Sequence, residues 1–325
     1  MTRVALITTG GTIAMRHDAA QGGAVPQLGV RELLSGLSGL PEVEAHEFCN
    51  LPSAHLTLDH LWGIRRLARD LIQQDETAGV VITHGTDTLE ETAYLLDLTV
   101  DSPKPIVLTG AMRTASEVGY DGSANLAAAL RVAAAPQARE LGALVVLNDA
   151  IHAARWVTKA HTTSLDTFQS PGWGPLGRVN GDAVEIGYRV QRDIIPTERL
   201  EPHVGLLRLA VGQDESLLRV MRQSGTWGVV LEALGGGRVP PWWMPTIVEA
   251  IQQGLWIVVA SRCPSGTVHD RYGYVGAHRD LVAAGALFSN GLSGAKARLR
   301  LMAALGASPD AARVRGWFPL PSPAG

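Results

Sequence analysis

The sequence VALITTGGTIA, at residues 4–14, joins an apolar run to a glycine-containing turn. Its first half, Val4–Thr8, is a short run of apolar and β-branched residues, which predicts a strand buried on both faces, as in a parallel sheet covered by helices. The run leads directly into Thr9-Gly10-Gly11-Thr12, where the glycines allow a tight turn and a close approach of the backbone to a ligand. Further strands of this kind are predicted at Gly79–Thr83, Ile106–Thr109 and Leu144–Leu147.

Helical patterns alternate with these strands. Apolar residues recur at helical spacing from Leu61 to Ile72, and Asp121 or Ser123 is predicted to cap a helix that runs through Ala135. The alternation of strands and helices is typical of an α/β fold. We therefore predict a larger, doubly wound parallel-sheet domain at the N-terminus.

A second, smaller α/β domain is predicted after a connecting segment. Residues 189–202 contain prolines and charges without sustained periodicity, which indicates a connection between domains. Beyond it, strands are predicted at Val204–Leu209, Val229–Ala233 and Ile257–Ala260, and helices at Asp214–Gln223, Met244–Gln252 and Ala295–Leu305. The predicted bounds are 1–190 for the N-terminal domain, 191–203 for the linker and 204–325 for the C-terminal domain.

Composition restricts the class of protein. The chain has 325 residues, 46% of them hydrophobic, and a formal net charge of −3, so it can bury a core but offers no basic surface to nucleic acid. No apolar run reaches the roughly 20 residues that cross a bilayer, and no leader precedes Val4, so we expect a cytoplasmic protein without a membrane partner. Cys49 and Cys263 are predicted to be reduced, buried thiols, with a structural disulfide as the alternative.

Three strands of the N-terminal domain end in loops rich in Thr, Gly and Asp. The loops are Thr9–Thr12, Thr83–Thr88 and Thr109–Met112. Because ligands bind outside the carboxyl ends of the strands in open parallel sheets, we expect the three loops to converge on one pocket. Hydroxyls and a carboxylate would face the ligand there, close to glycine backbone.

Thr12 is the better candidate nucleophile, because the paired glycines before it would leave its hydroxyl exposed. A threonine hydroxyl is inert without a base or a polarising partner, and the second loop places Thr86 beside Asp87. In a structural alternative, Thr86 and Asp87 cap the helix that follows, with Glu90 and Glu91 in its first turn. The two interpretations are compatible.

Residues 4–14 and residues 81–93, VITHGTDTLEETA, resemble the two signature segments of bacterial-type asparaginases. Further similarity covers most of the N-terminal domain and is weaker in the C-terminal one. The resemblance implies a small-molecule amide as substrate and a homodimer or homotetramer. No metal or organic cofactor is expected, because the sequence has no His/Cys cluster, Walker-type loop or dinucleotide fingerprint.

The resemblance also assigns catalytic residues. Carried over by position, it implies that Thr12 is the nucleophile and that Thr86, Asp87 and Lys159 form a supporting triad. Thr12 would attack the side-chain amide carbonyl, release ammonia and form an acyl-enzyme that water hydrolyses. Lys159 beside Asp87 is favoured in its charged form, which cannot accept a proton unless burial opposes the pairing.

The resemblance further implies a set of substrate-binding residues. They are Gly11, Ser53, Ala54, Gly85 and Ala111. Ser53 falls where the family places a serine that holds the substrate's α-carboxylate, although a serine after proline is otherwise a routine turn residue. Backbone N–H groups around Thr86 and Ala111 would hold the developing oxyanion.

The chain departs from the family near the nucleophile and the substrate's amino group. The family carries a tyrosine in a mobile loop after the nucleophile, but Met15–Leu28 contains none; its small residues indicate a flexible lid, from which His17 or Asp18 could reach inward. Ala54 replaces a glutamine, and Arg238 falls near an asparagine that the neighbouring subunit supplies. An arginine there would suit a substrate with an additional anionic group, and a surface position is the alternative.

Aromatic residues of the C-terminal domain leave further alternatives open. The family also carries an acidic residue in this domain, which has no clear match here. By spacing, its position falls near His278. Tyr272 and Tyr274 could replace the missing tyrosine. Trp242 and Trp243 could line the pocket, lie at a subunit contact or belong to the core.

We therefore expect an amide hydrolase that acts on L-asparagine or a close relative, such as glutamine, succinamate or a substituted asparagine. Two alternatives remain, a catalytically weak or inactive amino-acid-binding protein on the same scaffold and a hydrolase of a modified or anionic asparagine analogue. A subunit of a transfer-RNA-dependent amidotransferase is disfavoured, because no basic surface is predicted.

Overall fold

The larger sheet is buried on both faces because consecutive residues of its central strands are apolar. Along the first strand, Val4 and Leu6 pack in one core layer, and Ala5 and Ile7 pack in the other, since the side chains of a strand alternate between the two faces. All four residues are fully buried. A sheet of this kind needs helices on both sides.

The computed structural model describes residues 2–269 and 272–319. It divides into two compact units, Met1–Ile194 and Ile195–Gly325, which we call the N-terminal unit and the C-terminal unit. The strands of the N-terminal unit are β1 (Arg3–Thr8), β2 (Met15–Asp18), β3 (Gly23–Pro26), β4 (Val43–Glu47), β5 (Thr77–Thr83), β6 (Ile106–Thr109), β7 (Ala143–Leu147), β8 (Ala150–Ala153), β9 (Thr158–Lys159), β10 (Phe168–Gln169), β11 (Gly177–Asn180) and β12 (Ala183–Ile186). Its α-helices are α1 (Val30–Leu33), α2 (Leu58–Ile72), α3 (Leu89–Thr99) and α4 (Gly122–Ala134).

Eight strands form the main sheet of the N-terminal unit, in the order β12-β11-β8-β7-β6-β5-β1-β4. The five strands from β7 to β4 are parallel, and β8, β11 and β12 extend the sheet in antiparallel pairs. In register, Val4 of β1 lies between Val43 of β4 and Gly79 of β5. The predicted α/β fold class is confirmed.

One crossover of this sheet differs in hand from the others. Helices α1 and α4 pack on one face, and α2 and α3 pack on the other. The chain steps from β5 to β6 and from β6 to β7 in the same direction, but through helices on opposite faces. The connection through α4 therefore has the opposite hand to its neighbours, although about 98% of such connections are right-handed. Its first segment, residues 110–121, leaves the sheet at the predicted site.

The C-terminal unit is a smaller α/β layer structure. Its parallel sheet has four strands in sequence order, and α6 and α7 pack on the face opposite to α8, where Leu301 lies against Gly228. The strands are β13 (Val204–Arg208), β14 (Gly228–Ala233), β15 (Trp256–Ser261) and β16 (Leu287–Phe288). The α-helices are α5 (Ser216–Gln223), α6 (Met244–Gln252), α7 (His278–Ala284), α8 (Gly294–Ala307) and α9 (Ala311–Gly316).

The cysteines correct one prediction. Both are free thiols, but Cys49 is only half-buried and Cys263 is exposed, so the prediction of two buried thiols was wrong. Cys263 lies two residues after the end of β15, in a loop that runs over the surface.

Candidate active site

The strand order of the larger sheet reverses between β1 and β5. From β1 the chain continues to β4 on one side, and from β5 it continues to β6 on the other. In open parallel sheets this switch point is where ligands bind, because the loops that leave the two strands diverge and open a crevice. The loops that leave β1 and β5 here are residues 9–12 and 84–88. These are two of the three loops that the sequence predicts to form a pocket.

Glycines hold the loops against each other. Gly11 has a φ of 82°, and a methyl group added to it would overlap the backbone of Gly85. A methyl group on Gly85 would lie 2.7 Å from the Ser53 hydroxyl oxygen, and one on Gly110 would lie 2.5 Å from the His84 carbonyl oxygen. The loops of β1, β5 and β6 and the segment around Ser53 therefore meet through bare backbone, which a side chain at these positions would push apart.

Thr12 begins a single turn of 3-10 helix, Thr12–Ala14. The Ala14 N–H donates to the Gly11 carbonyl at 2.9 Å, and Ile13 and Ala14 are buried, so the turn is anchored in the core. Thr12 itself is half-buried. A partly accessible hydroxyl on a fixed turn is the arrangement that a nucleophile requires.

Lys159 lies between Thr86 and Asp87. Its ammonium Nζ donates to Thr86 Oγ1 at 2.8 Å and to Asp87 Oδ1 at 2.7 Å. Thr86 is 5% exposed, whereas the side chain of Asp87 is 65% exposed and that of Lys159 is 18% exposed. The carboxylate is therefore hydrated while the hydroxyl is covered, and the lysine can polarise the Thr86 hydroxyl through a direct charged hydrogen bond.

A cavity of about 380 Å³ opens beside this ion pair. It is lined by Asp87, Glu90, Lys159, Ala160, His161 and Thr162. The cavity is large enough for a small amide, but of the predicted site residues only Asp87 and Lys159 line it.

Glu90 holds the backbone of Lys159. The Lys159 N–H in β9 donates to Glu90 Oε2 at 2.5 Å, and Glu90 lies with Glu91 in the first turn of α3, as predicted. The sequence pattern indicated only the acidic first turn. It gave no signal that Glu90 also fixes a residue of the triad, because the two lie 69 positions apart.

The start of α3 contributes to the site and is not capped by the predicted residues. Its N-cap is Thr88, which makes no capping hydrogen bond, because the Thr88 hydroxyl donates to the Ser53 carbonyl at 3.1 Å. The Asp87 carboxylate pairs with Lys159 instead of a helical N–H. The alternative prediction that Thr86 and Asp87 cap this helix was therefore wrong.

The other predicted substrate-binding residues differ in exposure. Ser53 is buried in the short 3-10 turn Ser53–His55, and the adjacent Ala54 is exposed. Ala111 is fully buried, so its backbone is the part that can act on a ligand. The role of each residue stays a prediction.

Asp121 and Asn125 hold the loop that follows β6. The Met112 N–H donates to Asp121 Oδ2 at 3.0 Å, and Asn125 Nδ2 donates to the Gly110 carbonyl at 3.0 Å. Asp121 occupies the N-cap position of α4, but no side chain caps that helix. The prediction of a cap by Asp121 or Ser123 was therefore wrong, because the Asp121 carboxylate serves the β6 loop.

His84 is a buried member of the second loop that the sequence reasoning did not single out. Its ring lies 2.7 Å from the Gly85 carbonyl oxygen through Nδ1 and 3.0 Å from Thr92 Oγ1 through Nε2. A carbonyl only accepts, so Nδ1 carries the proton and Nε2 accepts from the threonine hydroxyl. Complete burial lowers the pKa of His84 to about 4, so the ring is neutral and acts as a support for the loop.

The segment predicted as a flexible lid forms an antiparallel hairpin, and its mobility stays a prediction. Strands β2 and β3 pair across residues 15–26. Asp18 Oδ1 accepts from the Ala20 N–H at 2.8 Å, so Asp18 closes the hairpin turn. The exposed His17 is held through its backbone N–H, which donates to Ser116 Oγ at 3.0 Å.

The predicted aromatic residues of the C-terminal unit separate into core and surface. Trp243 is fully buried in the core, and Trp242 is half exposed. The guanidinium of Arg238 lies 4.4 Å from the ring centroid of Tyr272, which in turn contacts Tyr274 at 5.5 Å. The core interpretation is therefore confirmed for Trp243 alone.

Metal and membrane features can be assessed only in the described ranges. Within residues 2–269 and 272–319, no group of three or more His, Cys, Asp or Glu side chains could hold a metal ion. No helix in those ranges combines the length and the apolar character that a membrane crossing demands.

Comparison with known proteins assigns both units to one family. The family model described as "Asparaginase, N-terminal" matches residues 3–192, and the one described as "Glutaminase/Asparaginase C-terminal domain" matches residues 203–318. A probable L-asparaginase of Deinococcus radiodurans is 40% identical over 324 residues, covering 98% of this chain and 97% of that protein. An L-asparaginase of Bacillus licheniformis is 36% identical over 303 residues, covering 92% and 94%.

The fold comparison agrees with the sequence comparison. The crystal structure of a probable cytoplasmic L-asparaginase from Campylobacter jejuni superimposes with a TM-score of 0.87 at 30% identity, covering 98% of this chain and 99% of that one. Similarity of this extent includes both units and the loops at the switch point. The chain belongs to the asparaginase family.

Proposed function

We propose that this chain is an amide hydrolase that releases ammonia from the side-chain amide of L-asparagine, or of a closely related small amide, through a threonyl ester at Thr12. The names of its relatives support the reaction class. The observation that carries the proposal is the position of Lys159 Nζ, within 2.8 Å of Thr86 Oγ1 and 2.7 Å of Asp87 Oδ1. The inclusion of Thr12 is supported by the close approach of Gly11, which precedes it, to the backbone of Gly85, which precedes Thr86.

The first half of the reaction forms the ester. Thr12 Oγ1 bonds to the carbonyl carbon of the side-chain amide, the carbon–nitrogen bond breaks, and the hydroxyl proton leaves with the nitrogen as ammonia. Backbone N–H groups around Thr86 and Ala111 hold the oxygen while it is negatively charged, a role that contributes about 2.7–4 kcal/mol per donor.

The second half of the reaction hydrolyses the ester. A water molecule near Thr86 and Asp87 attacks the ester carbon, the bond to Thr12 oxygen breaks, and that oxygen recovers a proton from the water. Lys159 polarises the Thr86 hydroxyl, because its Nζ donates a hydrogen bond directly to Thr86 Oγ1. The carboxylic acid that forms gives up its proton to ammonia, so the products are a carboxylate and ammonium, and no metal or organic cofactor is proposed.

Recognition of the substrate's amino-acid end involves two groups of opposite character. Ser53, which is buried against Gly85, offers a hydroxyl to the α-carboxylate. Asp87, whose side chain is 65% exposed, offers a carboxylate to the α-ammonium. A free amino acid carries both charges, which favours L-asparagine over a simple amide.

Ammonia release from a panel of amides tests the proposal. We expect turnover of L-asparagine that falls by at least about a thousandfold in Thr12→Ala and in Thr86→Ala, because each removes a group of the reacting unit. Thr99→Ala is a matched control: its buried hydroxyl donates to the Leu95 carbonyl at 2.7 Å, at the far end of α3. Full activity of either site variant would refute the assignment. Tight calorimetric binding of L-asparagine without turnover by the wild type would instead indicate an amino-acid-binding protein.

The assembly and the location of the protein follow from the same proposal. We expect a homodimer or homotetramer in the cytoplasm, by similarity to the probable cytoplasmic L-asparaginase of Campylobacter jejuni for the location and to the family for the assembly. Light scattering of the purified protein at micromolar concentration would test the assembly, and a monomer would contradict it.

A further inference from the structure

The segment between β6 and α4 is bonded to the turn that carries Thr12. The hydroxyl of Tyr120 donates to the Ile13 carbonyl at 2.7 Å, although the two residues lie 107 positions apart. Two residues further along this turn, the Met15 carbonyl accepts from the Ala115 N–H at 3.0 Å. The Thr12 turn is thus held from outside by one stretch of chain.

The Ile13 carbonyl needs such a partner because of where the turn ends. Backbone hydrogen bonds run from the Ala14 N–H to the Gly11 carbonyl and from the Met15 N–H to the Thr12 carbonyl. The chain then becomes extended at Met15, so no following N–H turns back to the next carbonyl. The Ile13 carbonyl accepts from the Tyr120 hydroxyl instead. This hydroxyl replaces the backbone N–H that the next residue of a longer helix would donate.

Tyr120 fits this position closely. Its ring packs against the core on the α4 side of the sheet. A methyl group on Gly122 would overlap the Tyr120 hydroxyl, so a glycine at the start of α4 leaves the room that the ring needs. The pKa of Tyr120 is raised to about 12, chiefly by burial. The hydroxyl therefore keeps the proton that it donates.

Asp121 continues the same contact towards the β6 loop. Its carboxylate accepts from the N–H groups of Met112 at 3.0 Å and Arg113 at 2.9 Å. One peptide unit, Tyr120-Asp121, thus bonds both to the Thr12 turn and to the loop that holds Ala111. Tyr120 and Asp121 therefore set the distance between a nucleophile on the Thr12 turn and an oxyanion donor on the β6 loop.

We propose that Tyr120 is a positioning residue for Thr12, whose hydroxyl fixes the Thr12–Ala14 turn relative to the β6 loop. The proposal rests on the proposed function, because it concerns the nucleophile of that reaction. Tyr120 acts through the Ile13 carbonyl and does not touch the substrate.

Tyr120→Phe tests the proposal, with Tyr188→Phe as the matched control. The Tyr188 hydroxyl also contacts backbone carbonyls of the N-terminal unit, those of Trp173 and Gly174, at 2.9 Å each. Neither Trp173 nor Gly174 is a predicted site residue. We expect kcat to fall about 10- to 100-fold in Tyr120→Phe, with KM within about twofold, because a displaced nucleophile weakens the transition state more than binding. In Tyr188→Phe we expect no change in kcat. The midpoint of thermal unfolding should shift equally in both.

A second variant keeps the test valid if Tyr120→Phe folds poorly. Gly122→Ala retains the tyrosine but displaces its hydroxyl, and alanine is the better helix former at that position. We expect a fall in kcat at least as large as in Tyr120→Phe.

The outcomes separate this proposal from the proposed function. An active wild type, an inactive Thr12→Ala and an unchanged kcat in Tyr120→Phe or Gly122→Ala would overturn the role of Tyr120 alone. A fall in kcat equal to that of Tyr188→Phe, and matched by lost stability, would also overturn it. A wild type that releases no ammonia from any amide would overturn the proposed function, and the positioning role with it.

Discussion

The two sheets differ in the order of their parallel strands. The C-terminal sheet runs β13-β14-β15-β16, in sequence order, whereas the N-terminal sheet reverses between β1 and β5. Charged residues occur at the carboxyl ends of the strands in both sheets. In the C-terminal unit they are used within the scaffold: Glu232 accepts from the Gly294 N–H at 3.0 Å, and Arg208 lies 3.5 Å from the same carboxylate.

The comparison shows that strand-end polar residues are not sufficient for a site. At the N-terminal sheet the loops of β1 and β5 diverge, and Asp87 of the β5 loop pairs with Lys159 of the separate β9–β10 sheet beside a cavity of about 380 Å³. In the C-terminal sheet, which has no reversal, Arg208 and Glu232 pair across the adjacent strands β13 and β14. Topology therefore decides which of the two polar edges can become an active site.

We expect the strongest loss of activity when Lys159 is removed, and we compare it with the removal of Arg208 from the C-terminal unit. Lys159→Met should lower kcat about a thousandfold, within the usual 10²–10⁴ range for a group that assists proton transfer. Arg208→Met removes a cation that is likewise paired with a carboxylate and should leave kcat within about twofold. Steady-state ammonia release measures both. Equal losses in the two variants would mean that the reversal of strand order does not distinguish the edges.

The next effect concerns acid stability. His84 and His152 both lie in the N-terminal unit, and burial lowers the pKa of each to about 4. The unfolded histidine, with a pKa of about 6.5, binds a proton more readily. The free energy of unfolding should therefore be constant above about pH 6.5 and fall by about 3 kcal/mol per histidine as the pH drops to about 4.

His84→Gln checks this linkage. Urea unfolding at pH 7 and at pH 4.5 should show a smaller pH-dependent loss in the variant, because only His152 of these two buried histidines remains. Hydrogen exchange at acidic pH should lose protection first in the N-terminal unit. An unchanged pH dependence would show that His84 is not buried in its neutral form.

The smallest effect compares two glycines of positive φ. Gly11 has a φ of 82° and lies against the Gly85 backbone, whereas Gly254 has a φ of 90° and faces open space. Gly254→Ala should cost about 1 kcal/mol of stability through backbone strain alone. Gly11→Ala should cost about 2 kcal/mol more, through steric overlap, and should also lower kcat. Chemical denaturation measures the difference, and equal costs would argue against the loop contact.

The sequence predicted the parts of the fold that depend on continuous burial. The strand over Ile106–Thr109 and the helix over Met244–Gln252 have the predicted bounds, because an apolar run or a helical period is a local signal. The edge strand β4 was missed. Its residues, Val43–Glu47, alternate between half-buried and exposed positions, so no run of apolar residues marks it.

The candidate site was predictable only in part, for a similar reason. Loop composition and the family resemblance brought Thr12, Thr86, Asp87 and Lys159 together as candidates. The supports of these residues were not predictable, because the bond of Tyr120 to the Ile13 carbonyl and the bond of Glu90 to Lys159 span large sequence separations. Asp121 was misassigned as a helix cap, since that is the local role its position allows.

In the proposed reaction Thr12, and not Thr86, carries the acyl group. Acid quenching of Lys159→Met during turnover of L-asparagine, followed by peptide mass spectrometry, locates this group, because slowed hydrolysis should let the ester accumulate. We predict one aspartyl ester on the peptide that contains Thr12, and none in Thr12→Ala. An ester on Thr86, or ammonia release with no ester on either threonine, would rule out Thr12 as the nucleophile.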